Sequence, residues 1–193
     1  MCDTVKLSWC YTMEIKKTKI TIGGLSGTGK GTVAKILASK LDFELHSVGN
    51  FFREIAKERG FSSLLEFQKT IHSEDNTDFS ADIETDERTK KFGAEKDNFI
   101  IEGRLCAHMI PDAFKILLTC VDDERFRRVA ESQKISIDEA RIETLEREKL
   151  YTDFYSRFYK IDDYLVESYY DFVIDTTNIL PEQIVESIIN KLK

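Results

Sequence analysis

The chain has 193 residues, 41% hydrophobic and 33% charged, which is enough apolar content for one compact domain with its own core and excludes a disordered chain. Its 35 acidic residues against 28 basic ones leave a formal charge of -7, opposite to the broad basic footprint of a nucleic-acid binder, so no stable nucleic-acid partner is expected and any anionic ligand must be held locally. No apolar run approaches the roughly 20 residues of a membrane span, and a soluble, cytoplasmic protein is expected.

Residues 1–16 read as an N-terminal extension. Asp3 and Lys6 interrupt its apolar residues too early for a signal peptide, and Met13 reads as an alternative start. Residues 17–193 read as a single domain. The β-branched run TKITIGG predicts a first strand, followed by a glycine-rich loop and a helix that closes near ASKLDF. Residues 43–46 predict a second strand, and 50–59 a helix capped by Asn50. Ser63 and Glu66 offer a capping box for another helix. The polar stretch 72–80 reads as a loop before a charged helix running to about Lys91. Residues 98–102 and 114–120 are short runs apolar on both faces, as a parallel sheet requires. A helix follows Asp122, and Ser136 with Glu139 opens a long one that runs to about Tyr159. Residues 171–175 predict the last strand. Pro181 starts a closing helix with Ile184, Val185, Ile188 and Ile189 on one face. Strands alternating with helices predict a three-layer α/β/α fold on a central parallel sheet.

Cys2, Cys10, Cys106 and Cys120 form no CxxC pair, so reduced structural thiols are expected. His46, His72 and His108 have no spacing suited to a metal site.

The sharpest motif is Gly24-Leu25-Ser26-Gly27-Thr28-Gly29-Lys30-Gly31-Thr32, which fits G-x-x-x-x-G-K and sits between a predicted strand and a predicted helix. Glycines let such a loop wrap closely, so that successive backbone N–H groups and the positive end of the next helix face phosphate oxygens. Lys30 would reach the β and γ phosphates. A glycine-rich turn without a ligand gives no reason for a lysine at that place, so ATP or GTP binding is expected through residues 24–32.

The ending Gly29-Lys30-Gly31-Thr32 resembles the nucleoside monophosphate kinases. Gly31 stands where many P-loops carry a magnesium-ligating Ser or Thr, leaving Thr32, one residue on, as the metal candidate. Residues 17–190 follow the motif order of the archaeal-type cytidylate kinases. The resemblance implies a P-loop kinase fold with an acceptor-binding helical insertion at about 47–93 and a short helical lid at about 125–157. It also implies ATP as phosphoryl donor, Mg2+, and CMP or dCMP as acceptor, with small nucleotides as the only partners of a monomer. Ser47-Val48-Gly49-Asn50-Phe51-Phe52-Arg53 resembles the family's S-x-G-D-x-F-R segment, which assigns Ser47 and Arg53 to the acceptor phosphate; Asn50 replaces an aspartate. Asp82-Ile83-Glu84-Thr85-Asp86-Glu87-Arg88 matches its acceptor-binding helix. There Asp86, with Arg88 nearby, would accept a hydrogen bond from the exocyclic amine of cytosine, although ordinary solvated charges account for such a helix equally well.

Ile100-Ile101-Glu102-Gly103-Arg104 ends a predicted strand at the edge where parallel sheets bind ligands. Glu102 is the candidate for a magnesium-bound water, and Arg104 the candidate second clamp on the acceptor phosphate. Arg128 and Arg147 best match the catalytic lid arginines, with Arg125 a weaker match. Arg125, Arg127 and Arg141 are accounted for by a solvated helix face. Ser132 and Phe154 replace arginines of the pattern, with Arg157 a substitute one turn later, and Tyr155 and Tyr159 read as core packing. The linker at 133–137 has no room for a zinc-bearing lid. AMP or another small molecule as acceptor, or a regulatory or RNA-associated P-loop module that binds nucleotide with little transfer, remain the alternatives.

Overall fold

The structure is a computed structural model that describes residues 17–72 and 78–193. The extension at 1–16, with Met13, Cys2 and Cys10, lies outside the described residues, as does the middle of the expected 72–80 loop.

Five strands form one sheet: β1 (Lys19–Gly23), β2 (Glu44–Ser47), β3 (Phe99–Glu102), β4 (Phe114–Thr119) and β5 (Phe172–Asp175). Their order is β2-β3-β1-β4-β5 and every pairing is parallel. The register aligns Ile22 and Ser47 with Glu102 from either side, so three strands end together at one carboxylate. Helices fill the crossovers: α1 (Lys30–Leu41), α2 (Val48–Glu58), α3 (Leu64–Ile71), α4 (Ser80–Glu95), α5 (Cys106–Met109), α6 (Asp122–Gln133), α7 (Ile137–Tyr159) and α8 (Pro181–Leu192).

The three central strands are mostly buried on both faces, which is why β3 and β4 read as nearly continuous apolar runs. Alternation sorts the side chains. Ile20, Ile22, Ile100, Ile116 and Leu118 pack with Val33 and Leu37 of α1 and Ile184, Val185 and Ile188 of α8. Phe99 and Ile101 face the other way, onto Leu105, Phe154, Tyr155 and Tyr164. Each fully buried Ile or Leu contributes about 1.5–3 kcal/mol. A smaller cluster of Phe52, Ile55, Phe67 and Ala81 holds α2, α3 and α4 together.

Caps set the helix starts. In α7 the Glu139 N–H donates to Ser136 Oγ at 3.2 Å and the Ser136 N–H donates to Glu139 Oε2 at 2.9 Å, a reciprocal capping box. In α3 the Glu66 N–H donates to Ser63 Oγ at 3.3 Å, one half of such a box. The expected cap at Asn50 is corrected: α2 starts two residues earlier, after Ser47, and Asn50 lies inside its first turn, where its Oδ1 accepts from Arg53 at 2.7 Å. The Ser47 hydroxyl caps nothing because it is bonded to the Glu102 carboxylate. The short α5 and a 3-10 turn at Glu167–Tyr169 carried no sequence signal, since one turn is too short for periodicity. No helix among the described residues is long and apolar enough to cross a membrane.

Candidate active site

The loop between β1 and α1 has the geometry its glycines demand. Gly24 has φ 136° and its α-carbon packs against the Leu118 carbonyl, where a Cβ would lie 2.3 Å from that oxygen. Gly27 has φ 81°, with the Arg125 carbonyl 2.4 Å from any added Cβ. The Thr28 hydroxyl turns inward and donates to the Leu25 carbonyl at 2.9 Å, while the Thr28 carbonyl accepts from Thr176 Oγ1 at 3.0 Å. Gly29 is the left-handed residue immediately before α1, and Gly31 and Thr32 form the exposed first turn, whose N–H groups have no intrahelical acceptor. Lys30 curls back over the loop and its Nζ donates to the Leu25 carbonyl at 2.7 Å. Burial pushes its pKa down to about 8, against the opposing pull of the nearby Glu102 carboxylate.

In front of this loop lies a cavity of about 290 Å³. Ser26 and Lys30 form its donor end, Ser47, Arg53, Glu102, Arg104 and Arg147 its waist, and Gln68, Asp82, Thr85 and Asp86 its far end. Two guanidinium groups converge on the P-loop, because Arg104 Nη2 and Arg147 Nη2 both donate to Ser26 Oγ at 3.4 Å. The Arg104 cation beside Arg147 lowers the latter's pKa, the mark of two like charges gathered where an anion would separate them. Arg104 also lies over the Tyr151 ring at 4.6 Å. Among the described residues no carboxylate lies within ion-pair distance of Arg53, Arg104 or Arg147. By contrast Arg59, Arg88, Arg125, Arg127, Arg128 and Arg141 are all paired.

The structure therefore separates the candidates. Ser47, Arg53, Asp86, Arg104, Glu102, Lys30 and Arg147 meet around one cavity. Arg88 does not: it faces Glu58 and Glu84, at 2.5 and 2.7 Å, on the outside of α4. At about 100° per residue, two residues carry Arg88 to the opposite side of α4 from Asp86. Arg128 is also set apart from the cavity, bonded to Glu124 at 2.8 Å and to the carbonyls of Thr176 and Thr177 at 2.9 and 3.1 Å, where it braces the loop after β5 behind the P-loop. Thr32 is exposed and does not line the cavity, while Glu102 does. Arg125 is corrected in the other direction. It is 1% exposed, not solvated, and holds Asp122, Glu148 and the Ser26 carbonyl. Phe154 is buried and stacked on Phe79 at 4.5 Å, and Arg157 is exposed over Phe158, outside the lining of the cavity.

Four contributors escaped the sequence reading. Gln68 and Asp82 line the far end, and Tyr151 and Tyr159 of α7 donate to Asp82 Oδ1 and Asp86 Oδ2, each at 2.9 Å. The signal was present as a spacing: Arg147, Tyr151, Tyr155 and Tyr159 recur every four residues along one face of α7. Among the described residues no group of three or more His, Cys, Asp and Glu side chains is gathered as a metal site.

Residues 19–178 match the model of the cytidylate kinase-like family. The chain is 36% identical over 174 residues to the cytidylate kinase of Methanobrevibacter smithii, covering 90% of this chain and 98% of that protein. It is 37% identical to the cytidylate kinase of Sulfolobus acidocaldarius, covering 89% and 92%. Among solved structures, the shikimate kinase of Aquifex aeolicus superposes with a TM-score of 0.56 at 18% identity, covering 90% of this chain and 95% of that one, a likeness of fold. With its P-loop, its parallel sheet and these relatives over most of its length, the chain belongs to the cytidylate kinase-like family.

Proposed function

We propose that the protein transfers the γ-phosphoryl group of ATP to CMP or dCMP, giving ADP and the nucleoside diphosphate. The observation that carries this is a set of cations with no carboxylate partner among the described residues: Arg53, Arg104 and Arg147, with Lys30, line one cavity between a P-loop and a carboxylate-bearing far end. Phosphoryl transfer between two anions depends on alignment and charge neutralisation more than on proton chemistry, and the residues present are of that kind.

The donor's β and γ phosphates would lie on the loop N–H groups and Lys30. Arg53 and Arg104 hold the acceptor phosphate so that one of its oxygens faces the γ phosphorus, in line with the bond to the β–γ bridging oxygen that breaks. Arg147, already against Ser26, neutralises charge on the transferring group. Bound with the donor, Mg2+ would supply further charge neutralisation, and Glu102, hydrogen-bonded to Ser47, is the carboxylate placed to hold its water. At the far end Asp86 accepts from the 4-amino group of cytosine. Arg88, Arg128 and Thr32 have no part in these contacts. The protein acts on small nucleotides as a monomer in the cytoplasm.

The test is direct. With ATP labelled in the γ phosphate and CMP as acceptor, label is expected in CDP. Label confined to inorganic phosphate, with CMP unchanged, would contradict the reading, and label passed only to AMP would move the acceptor to adenine.

A further inference from the structure

Two buried carboxylates stand at the far end of the cavity, one helical turn apart on α4, and their hydrogen bonding differs. Asp82 has both oxygens engaged, Oδ1 by the Tyr151 hydroxyl at 2.9 Å and Oδ2 by His72 Nε2 at 3.0 Å. Asp86 has Oδ2 engaged by the Tyr159 hydroxyl at 2.9 Å, and among the described residues no donor reaches its Oδ1. Asp86 is 6% exposed, so what opens to it is the cavity.

We propose that Tyr159 is a positioning residue for acceptor selection: by filling one oxygen of Asp86 it leaves a single acceptor facing the ligand, which takes the amine of a 4-aminopyrimidine and repels the carbonyl of a 4-oxopyrimidine. The proposal rests on the reading of this cavity as the acceptor site and adds what sets its selectivity. A phenol is a better donor than acceptor, and this hydroxyl makes no other hydrogen bond among the described residues. The bond therefore fixes which face of residue 86 is presented. Tyr159 and Arg147 both belong to α7, so the helix that sets the base reader also carries the arginine against Ser26.

The charge state of Asp86 supports the geometry. Burial pushes its pKa up to about 7; the bond from Tyr159 and the charge of Lys90 pull against this, while Asp82 and Glu87 push with it. An ionised Asp86 only accepts, whereas a protonated one can donate to a 4-oxo group, so Tyr159 favours the discriminating form.

Exchange of Asp86 to Asn makes the idea sharp. With Tyr159 donating to the amide oxygen, the amide N–H2 must face the cavity, where it donates to a 4-oxo group. CMP and UMP are compared with the wild type, Asp86→Asn, Tyr159→Phe and the double variant. Both kcat/KM and calorimetric Kd are read at pH 8, and all four proteins are near-isosteric. The expected pattern is a CMP preference in the wild type, lowered about tenfold by Tyr159→Phe through loss of one hydrogen bond. Asp86→Asn should reverse the preference toward UMP, and the double variant, its amide free to turn, should fall near unity. As the pH drops below 7 the wild-type preference should shrink, and in Tyr159→Phe that decline should begin at higher pH. A double variant that matches Asp86→Asn, or a Tyr159→Phe protein with the wild-type ratio and pH profile, would overturn the proposal. A wild type that binds CMP over UMP yet transfers no phosphoryl group would sink the kinase reading and leave this one standing.

Discussion

Arg125 Nη1 lies 2.8 Å from Glu148 Oε1, an ion pair between α6 and α7 in which the arginine side chain is 2% exposed and the glutamate 13%. The same guanidinium donates to the Ser26 carbonyl at 3.1 Å, so the pair ties α6 and α7 to the loop between β1 and α1. Removing one member of a buried pair leaves the other charge uncompensated. Glu148→Ala should lose about 3 kcal/mol of stability, seen as a lowered urea midpoint at constant slope, and should raise the KM for ATP. An unchanged midpoint would mean that Asp122, which also binds Arg125, suffices alone.

Lys30 supplies a proton-linkage prediction. In the free protein its pKa is lowered to about 8, and the approach of a triphosphate favours the charged form and raises it. At pH 8 the free lysine is half charged and the bound one fully charged, so binding takes up about half a proton per nucleotide and affinity falls as pH rises through 8. Titration calorimetry of ATP in two buffers of different ionisation enthalpy measures the uptake, which should vanish in Lys30→Ala.

Asp86 should cost stability for the sake of its site. Its folded pKa of about 7 lies above the ordinary 3.8, so the native state holds the proton more tightly than the unfolded chain. Its contribution is then favourable below the unfolded value and declines as pH rises toward 7. Asp86→Asn should therefore be more stable than the wild type at pH 8, by on the order of 2–4 kcal/mol, and the advantage should shrink toward pH 4. Thermal melts at the two pH values decide it.

The paired and unpaired arginines should differ in function. Arg53→Ala should raise the KM for CMP by about 10–100-fold through loss of a charge-assisted contact to phosphate. Arg88→Ala, which breaks only a partly exposed pair with Glu58 and Glu84, should leave kcat/KM unchanged and shift stability by about 1 kcal/mol or less. Steady-state kinetics on the two variants would separate them, and equal losses would return Arg88 to the site.

Much of this molecule was legible because it depends on local rules. The order of strands and helices followed from apolar runs and caps, and the phosphate loop from glycines whose φ values only that residue adopts readily. Ser136 and Glu139 announced α7 correctly, whereas the true N-cap position of α2, Ser47, was masked in sequence because its hydroxyl is bound across the sheet to Glu102 rather than to the helix. Local pattern does not carry such long-range contacts. The same holds for the arginines. Arg125 and Arg127 look alike in sequence, yet one is buried against Glu148 and Ser26 and the other pairs along its own exposed helix with Glu124 and Glu131. Nor did the spacing of Tyr151 and Tyr159 say that their hydroxyls would meet carboxylates of α4, since an aromatic stripe reads first as packing.

The most direct measurement is ADP release from ATP and magnesium by the purified protein, with CMP, dCMP, UMP, AMP and GMP offered separately and compared by kcat/KM. CMP or dCMP should lead, with the activity lost in Lys30→Ala; turnover with AMP alone, or the same slow ADP release whatever the acceptor, would contradict a cytidylate kinase.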